Sequence, residues 1–320
     1  MADLKTKMTD LKDSVADGMT LLPVIVGPTG SGKTALSLAL AEQMGGEVVS
    51  CDSVAVYREM EIGTAKPSFA ERERVRHHMI DVVSPDEAYT AGEYGRAARA
   101  AVRDIAARGL VPVVAGGTGL YLRALLDGLS PIVQRDETLR KRLRERAERR
   151  GAASLHRVLR RLDPAAAKKI HENDLPKLVR AIEVCALERR PMSSAWSEQR
   201  PEPLSGFRVV MIGLAPAREA LYTRLNRRAA EMFAEGLLEE THTLVSQYGW
   251  DCRALTSLGY AQAVSVLRGE STREEAIASA QQGHRNYAKR QGTWFRKDAR
   301  VQWLQSFGEE SIAAALALLA

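Results

Sequence analysis

Cysteine is scarce in this 320-residue chain: Cys51, Cys185 and Cys252 stand far apart and are odd in number. That excludes a disulfide framework and offers no zinc-ligand spacing. No stretch approaches the ~18 consecutive apolar residues of a membrane-spanning helix. The opening Met1-Ala2-Asp3-Leu4-Lys5 carries no apolar core of a secretory signal. A reducing cytoplasm and no membrane partner are therefore expected. No internal repeat or low-complexity tract stands out. With 45% apolar and 27% charged residues, the composition is that of a folded globular protein. The length suggests about two domains.

The net charge of +6 is unevenly spread. Residues 135–200 hold 18 Lys and Arg against 10 Asp and Glu, and residues 281–300 hold 6 against 1. Concentrated positive charge suits a polyanionic partner, nucleic acid above all. A solvated helix face is the plainer reading of a run such as Arg140-Lys141-Arg142-Leu143-Arg144.

After a polar tail (1–20), Leu21–Val26 is a short apolar run ending in glycine, as in a buried parallel strand. Ala35–Met44 reads as a helix stopped by Gly45-Gly46, and Glu47–Cys51 as a second strand. A helix over Gly92–Arg108 leads to a third strand, Leu110–Ala115, which opens into Gly116-Gly117-Thr118-Gly119. From Asp136 to about Arg190 the chain is nearly all helical and basic, broken at Asp163-Pro164 and Leu175-Pro176. A proline-bearing linker follows (191–206), then a returning strand, Phe207–Leu214, and a mostly helical remainder. This alternation predicts an α/β fold, a P-loop-type parallel sheet flanked by helices. The expected core is 21–134 with 206–320, and a helical insertion spans 135–205.

Gly27-Pro28-Thr29-Gly30-Ser31-Gly32-Lys33-Thr34 is a complete G-x-x-x-x-G-K-[ST] between a strand and a helix. Its glycines let backbone N–H groups converge on phosphate oxygens, and the helix N-terminus adds partial positive charge. Lys33 supplies a full charge, and the Thr34 hydroxyl is placed to ligate Mg²⁺. The motif alone specifies a polyphosphate or pyrophosphate. An Asn-Lys-x-Asp guanine reader is missing, and so is a later strand ending in the usual Mg²⁺-positioning Asp. The second strand does end in an acid, Asp52, at the sheet edge where α/β folds bind ligands. There it can hold metal, accept a proton or cap the next turn.

Several stretches together resemble the bacterial tRNA dimethylallyltransferases (tRNA isopentenyltransferases). They are G-P-T-G-S-G-K-T at 27–34, D-S-V-A-V-Y-R-E-M-E-I-G-T-A-K-P at 52–67, H-H-M-I-D-V-V-S-P at 77–85, G-G-T-G-L-Y at 116–121, L-V-R-A-I-E-V at 178–184 and Y-A-K-R-Q-G-T-W-F-R at 287–296. The resemblance spans all but about the first and last twenty residues. It implies transfer of a dimethylallyl group from dimethylallyl diphosphate to the exocyclic N6 amine of adenosine 37, in the tRNA anticodon stem-loop. It also implies a P-loop that holds the prenyl diphosphate with Mg²⁺. A monomer is expected.

By motif position, the resemblance makes Asp52 the general base and sets Thr118 against the substrate adenosine. Lys33 and Arg224 would act on the departing diphosphate. A helix-capping Thr118 and an exposed, basic-helix Arg224 are the structural alternatives. RNA-facing positions carried over are Asp52, Ser53, Val54 and Ala55; Thr118 and Arg140; Pro176, Lys177, Leu178, Val179 and Arg180; Thr256, Ser257, Leu258, Gly259, Tyr260 and Ala261; and Lys289, Arg290, Gln291, Gly292, Thr293, Trp294, Phe295 and Arg296. Trp294 and Phe295 suit core packing as well as base stacking. Two positions depart from the family pattern. Glu59 stands where glycine is usual, and Ala261 where Lys or Arg is common. Adjacent side chains of His77-His78 point apart, which favours structural roles over metal binding. The alternative functions are a small-molecule or nucleoside kinase and a non-catalytic RNA-binding NTPase.

Overall fold

Short apolar runs alternating with helix formers build a six-stranded sheet in the computed structural model. The structure describes residues 19–129, 136–194 and 201–320. The strands are β1 (Thr20–Val26), β2 (Gly46–Cys51), β3 (His77–His78), β4 (Val111–Gly116), β5 (Phe207–Leu214) and β6 (Val301–Leu304). They lie in the order β3-β2-β4-β1-β5-β6, every neighbouring pair parallel. The fold is thus the expected α/β sheet flanked by helices. β3 and β6 escape a reading by periodicity because two and four residues are too few to show one.

Both faces of the sheet are buried, and alternate residues serve different cores. Leu22, Val24 and Val26 of β1 join Val49, Val114 and Met211 beneath Tyr94, Ala98, Val102 and Ile105 of the Ala91–Ala107 helix. Ile25, Val48, Val113 and Ile212 point the other way, onto Leu36 and Leu40 of the Lys33–Met44 helix and onto Ala315 and Leu319 near the C-terminus. Gly45 ends the Lys33–Met44 helix at φ 63, a conformation glycine adopts without strain. Reciprocal caps start others: Thr90 with Glu93, and Thr272 with Glu275 at the head of the Arg273–Phe295 helix. No helix among the described residues is long and apolar enough to cross a membrane.

The chain divides into two units. One holds the sheet, with the described residues up to Leu126 and from Leu204 onward; the other is Asp127–Pro203. In the second unit, aspartates nucleate helices. Asp136 caps Glu137–Arg150, Asp163 caps Pro164–Lys169 and Asp174 caps Leu175–Glu188, each accepting from a backbone N–H three residues on. Pro164 and Pro176 therefore open helices, in the first turn where no N–H is needed. Leu143, Leu155, Leu159, Leu178 and Val184 form this unit's own core. The expected tail (1–20) falls outside the described residues except for its last two, as does part of the expected linker.

Candidate active site

Strand register brings three loops to one level. Val26, the last residue of β1, pairs with Gly116 of β4, and Gly116 pairs with Cys51, the last of β2. The phosphate loop, Asp52 and Gly117-Thr118 consequently leave the sheet side by side at its carboxyl edge. This is where open α/β sheets place ligands.

The phosphate loop curls because Gly27, Gly30 and Gly32 take φ of 144, 78 and 88, values that a side chain would make strained. At Gly30 a Cβ would also press on Leu225, 2.8 Å away. Lys33 Nζ donates to the carbonyls of Gly27 and Pro28 at 3.1 and 2.8 Å, which holds its ammonium inside the loop. Burial lowers its pKa to about 8, against the opposing pull of the Asp52 carboxylate. Ser31 is fully buried within the loop. Behind the loop, the Gly308 N–H donates to the Ser31 carbonyl at 2.9 Å.

Two side chains from later helices grip Thr29. Arg228 Nη2 donates to its hydroxyl at 2.6 Å, and Gln291 Oε1 accepts its N–H at 2.7 Å. Arg228 lies within the Arg218–Ala234 helix, one turn beyond Arg224. Arg224 itself is engaged elsewhere: it donates to Glu309 at 2.5 Å and lies over the Phe307 ring, 5.0 Å from its centre. The arginine that touches the phosphate loop is thus Arg228, to which the family motifs do not point. Its signal was present in the sequence, because residues four apart share a helix face. Nearby, burial and the Arg228 charge push the His284 pKa down to about 4.

Asp52 does cap the turn it begins. Its Oδ1 accepts the N–H groups of Val54 at 2.8 Å and Ala55 at 3.3 Å. That contact orients the carboxylate in the field of Lys33. Thr118 links the neighbouring loops rather than capping with its hydroxyl. Its N–H donates to the Cys51 carbonyl at 3.1 Å, and its Oγ1 accepts the Ser53 N–H at 3.0 Å. Tyr287 stands against Thr118 and Asp52, its phenol pushed up to about 12 mainly by burial. The glycines of Gly116-Gly117-Thr118-Gly119 are packing glycines: Gln291 fills the space of a Cβ at Gly117, and the Trp294 indole that at Gly119.

The carried-over RNA positions divide by helix face. Lys289, Arg290, Thr293, Trp294 and Arg296 are not buried, whereas Gln291 and Phe295 are. Trp294 and Phe295 therefore separate, one outward and one into the core. Tyr260 is fully buried, its hydroxyl donating to Glu240 at 2.5 Å. Ala55, Leu178 and Val179 are buried as well, and Gly259 is enclosed beside Tyr260. Arg140, expected on RNA, is turned into the helical unit: its Nε and Nη2 donate to Glu183 at 2.7 and 2.9 Å. A helix of 3.6-residue period cannot present every residue of a run to one partner, so the helical positions Arg140, Leu178, Val179, Gln291 and Phe295 are turned inward, while Ala55 lies in the turn after Asp52 and Gly259 precedes a helix. Pro176, Lys177 and Thr256 remain at the surface, with Lys177 paired to Asp174. Arg180, Ser257, Leu258, Ala261 and Gly292 are half-buried. Arg180 donates to Glu183 at 2.5 Å.

The segment after Asp52 is anchored by charge. The Lys66 side chain is almost wholly buried; its Nζ meets Asp81 at 2.6 Å, Glu61 at 3.1 Å and the Tyr57 carbonyl at 2.6 Å. Glu240 accepts from the N–H groups of Glu61 and Ile62. Glu59 takes φ 63, which accounts for glycine as the usual residue there. His77 and His78 have the structural roles expected of them: His78 bonds Glu47 at 2.6 Å, and His77 the Val75 carbonyl at 2.7 Å.

The described residues contain no group of three or more His, Cys, Asp and Glu that could cage a metal. Mg²⁺ carried by substrate phosphates needs only one or two protein oxygens. The half-buried Thr34, on the first turn after the loop, is placed to supply one.

Comparison with known proteins points one way. The family model described as IPP transferase matches residues 55–298. The tRNA dimethylallyltransferase of Koribacter versatilis is 60% identical over 291 residues, covering 91% of this chain and 94% of its own. That of Solibacter usitatus is 51% identical, covering 90% and 93%. Among solved structures, the full-length tRNA isopentenylpyrophosphate transferase of Bacillus halodurans superposes with a TM-score of 0.68 at 36% identity, covering 93% of this chain and 96% of its own. A eukaryotic dimethylallyltransferase caught acting on tRNA gives 0.77 at 26% identity, covering 94% and 78%. The match of the family model over residues 55–298, with a relative 60% identical across 91% of the chain, places this protein in the IPP transferase family.

Proposed function

We propose that this protein transfers the dimethylallyl group of dimethylallyl diphosphate to the N6 amine of adenosine 37 in the anticodon loop of tRNA, releasing diphosphate. It would work in the cytoplasm as a monomer. The observation that carries this reading is the common level of the phosphate loop, Asp52 and Thr118 at the ends of β1, β2 and β4. A kinase also sets a carboxylate beside its phosphates to take a proton, so what favours prenyl transfer over phosphoryl transfer is the likeness of the chain to tRNA dimethylallyltransferases.

The reaction breaks the C1–O bond of the allylic ester and forms an N6–C1 bond. Negative charge grows on the diphosphate as it leaves, and prealigned donors stabilise it best. The loop N–H groups, Lys33 and Arg228 are such donors, and Arg224 would join them on exchanging Glu309 for phosphate. Mg²⁺ on the Thr34 hydroxyl would neutralise further charge on the leaving group. The amine must lose a proton, and Asp52, oriented by Val54 and Ala55, would receive it. Asp52 would orient the amine and take its proton as the N6–C1 bond forms. The adenosine must leave its stack to enter, which costs a few kcal/mol and least in a single-stranded loop. Thr118 and Tyr287 line its place beside Asp52. The outward-facing Lys289, Arg290, Trp294 and Arg296 offer charge and a stacking face to the RNA.

The test is incubation with labelled dimethylallyl diphosphate, Mg²⁺ and unmodified tRNA, followed by digestion to nucleosides. Label in adenosine supports the proposal. Label transferred only from ATP to a small acceptor would install the kinase reading in its place. Asp52→Asn is expected to bind both substrates yet lose most of the turnover, and an undiminished rate would remove Asp52 as the base.

A further inference from the structure

We infer that Gln291 is a positioning residue, a clamp that holds the phosphate cradle in register with the loop carrying Thr118 and, through it, Asp52. Gln291 lies on the inner face of the Arg273–Phe295 helix and is 5% exposed. Each end of its amide is used. Oε1 accepts the Thr29 N–H at 2.7 Å, and Nε2 donates to the Gly117 carbonyl at 3.0 Å. The amide orientation is unambiguous, because one backbone partner can only donate and the other only accept. Gly117 lacks a side chain where the amide sits, so the clamp and the glycine are one device.

β1 and β4 pair as far as Val26 and Gly116, and the ladder ends there. Beyond that point, Gln291 ties Thr29 to Gly117. From Gly117 the order continues through Thr118 to the Cys51 carbonyl at 3.1 Å and the Ser53 N–H at 3.0 Å, which flank Asp52. The cradle and the base thus share one chain of hydrogen bonds. A displacement of about 1 Å between reacting groups can cost on the order of a hundredfold in rate. Gln291 would therefore act on turnover, not as a reader of RNA.

The role in turnover rests on the proposed prenyl transfer, but the clamp itself does not, so two readouts separate them. The first is amide hydrogen exchange of the whole protein without substrates. In Gln291→Met, of nearly equal size, Thr29 is expected to lose protection while Val24 and Val26 in β1 keep theirs. Unchanged protection at Thr29 overturns the clamp. The second is steady-state prenyl transfer to tRNA. Gln291→Met is expected to lose about a hundredfold in kcat, with the KM for tRNA within about twofold of wild type. Gly117→Ala is expected to give a similar loss, and the double variant to be no worse than either, since both remove one interaction. A kcat left intact with a raised KM for tRNA would make Gln291 an RNA-binding residue instead. Gln291→Glu, which keeps the acceptor for Thr29 but opposes oxygen to oxygen at Gly117, is the second variant should Gln291→Met not fold. It is expected to keep Thr29 protected and to lose kcat, and a wild-type kcat in it overturns the clamp. If the wild type itself transfers no label while Gln291→Met loosens Thr29, the proposed reaction falls and the clamp stands.

Discussion

Lys33 and Arg228 are the cations the fold commits to its phosphate loop, and each makes a distinct prediction. Burial holds the Lys33 pKa near 8, below its ordinary 10.5, so the free protein sheds this proton in mildly alkaline solution. A bound diphosphate favours the charged form and draws the proton back. Affinity is therefore full only well below pH 8, where Lys33 is charged, and falls as the pH rises through 8, by up to about tenfold per pH unit. Calorimetric titration with dimethylallyl diphosphate from pH 7 to 9.5 measures this slope, which Lys33→Met should abolish together with most of the binding. The arginines should differ. Arg228 bonds the loop, whereas Arg224 is held by Glu309. Hydrogen bonds to charged groups contribute about 1.5–3 kcal/mol. Arg228→Gln is thus expected to weaken diphosphate binding by at least about tenfold, and Arg224→Gln by less than about fivefold. The reverse ranking would show that Arg224 leaves Glu309 to become the principal ligand.

Among the elements, the loop between β2 and the Ala91–Ala107 helix has the least regular backbone, with Glu59, Ala65, Met79 and Asp81 all at positive φ. Such a segment holds its shape through side chains. Lys66 is the hub, with carboxylates on two sides and a backbone carbonyl on a third. Loss of one member of a buried ion pair typically costs 3–5 kcal/mol. Glu61 and Asp81 keep about a third of their side-chain exposure, so the low end applies. Lys66→Met should lower unfolding free energy by about 3 kcal/mol in urea titration. A change below about 1 kcal/mol would mean that Arg72, which pairs with the same two carboxylates, and Glu240 hold the segment without Lys66. The lysine in the G-T-A-K-P end of the 52–67 stretch thus secures the strand-to-helix passage that starts at Asp52.

For the whole molecule, charge distribution decides how RNA is met. Lys141, Arg142, Arg144, Arg149 and Arg150 are exposed on the Glu137–Arg150 helix together with Arg146, and Arg157, Arg160 and Arg161 on the next. Cations that meet phosphates release counterions, so tRNA affinity should fall steeply with salt. Changing Arg142, Arg144, Arg146 and Arg149 to Gln should reduce the slope of log affinity against log salt by about 1 for each phosphate no longer neutralised. A slope unaltered by the fourfold change would mean that this helix faces bulk solvent in the complex. Arg140 is kept out of the set because Glu183 already holds it.

How far the chain could be read before folding follows from the range of the interactions involved. The strands β1, β2, β4 and β5, the glycine cradle and the aspartate ending β2 are consequences of neighbouring residues, since alternation, helix stops and loop torsions are set within a few positions. Long-range partnership was not readable in that way. Arg228 and Gln291 reach Thr29 across 199 and 262 residues; helical spacing puts Arg228 on the face of Arg224, but no local pattern says which of the two meets the loop or singles out Gln291 from Arg290. Nor does a linear motif reveal that Tyr260, Phe295 and Arg140 are turned inward while Trp294 is left outside. Those outcomes depend on which helix face meets which neighbour, and that is settled only when the sheet and its helices pack together.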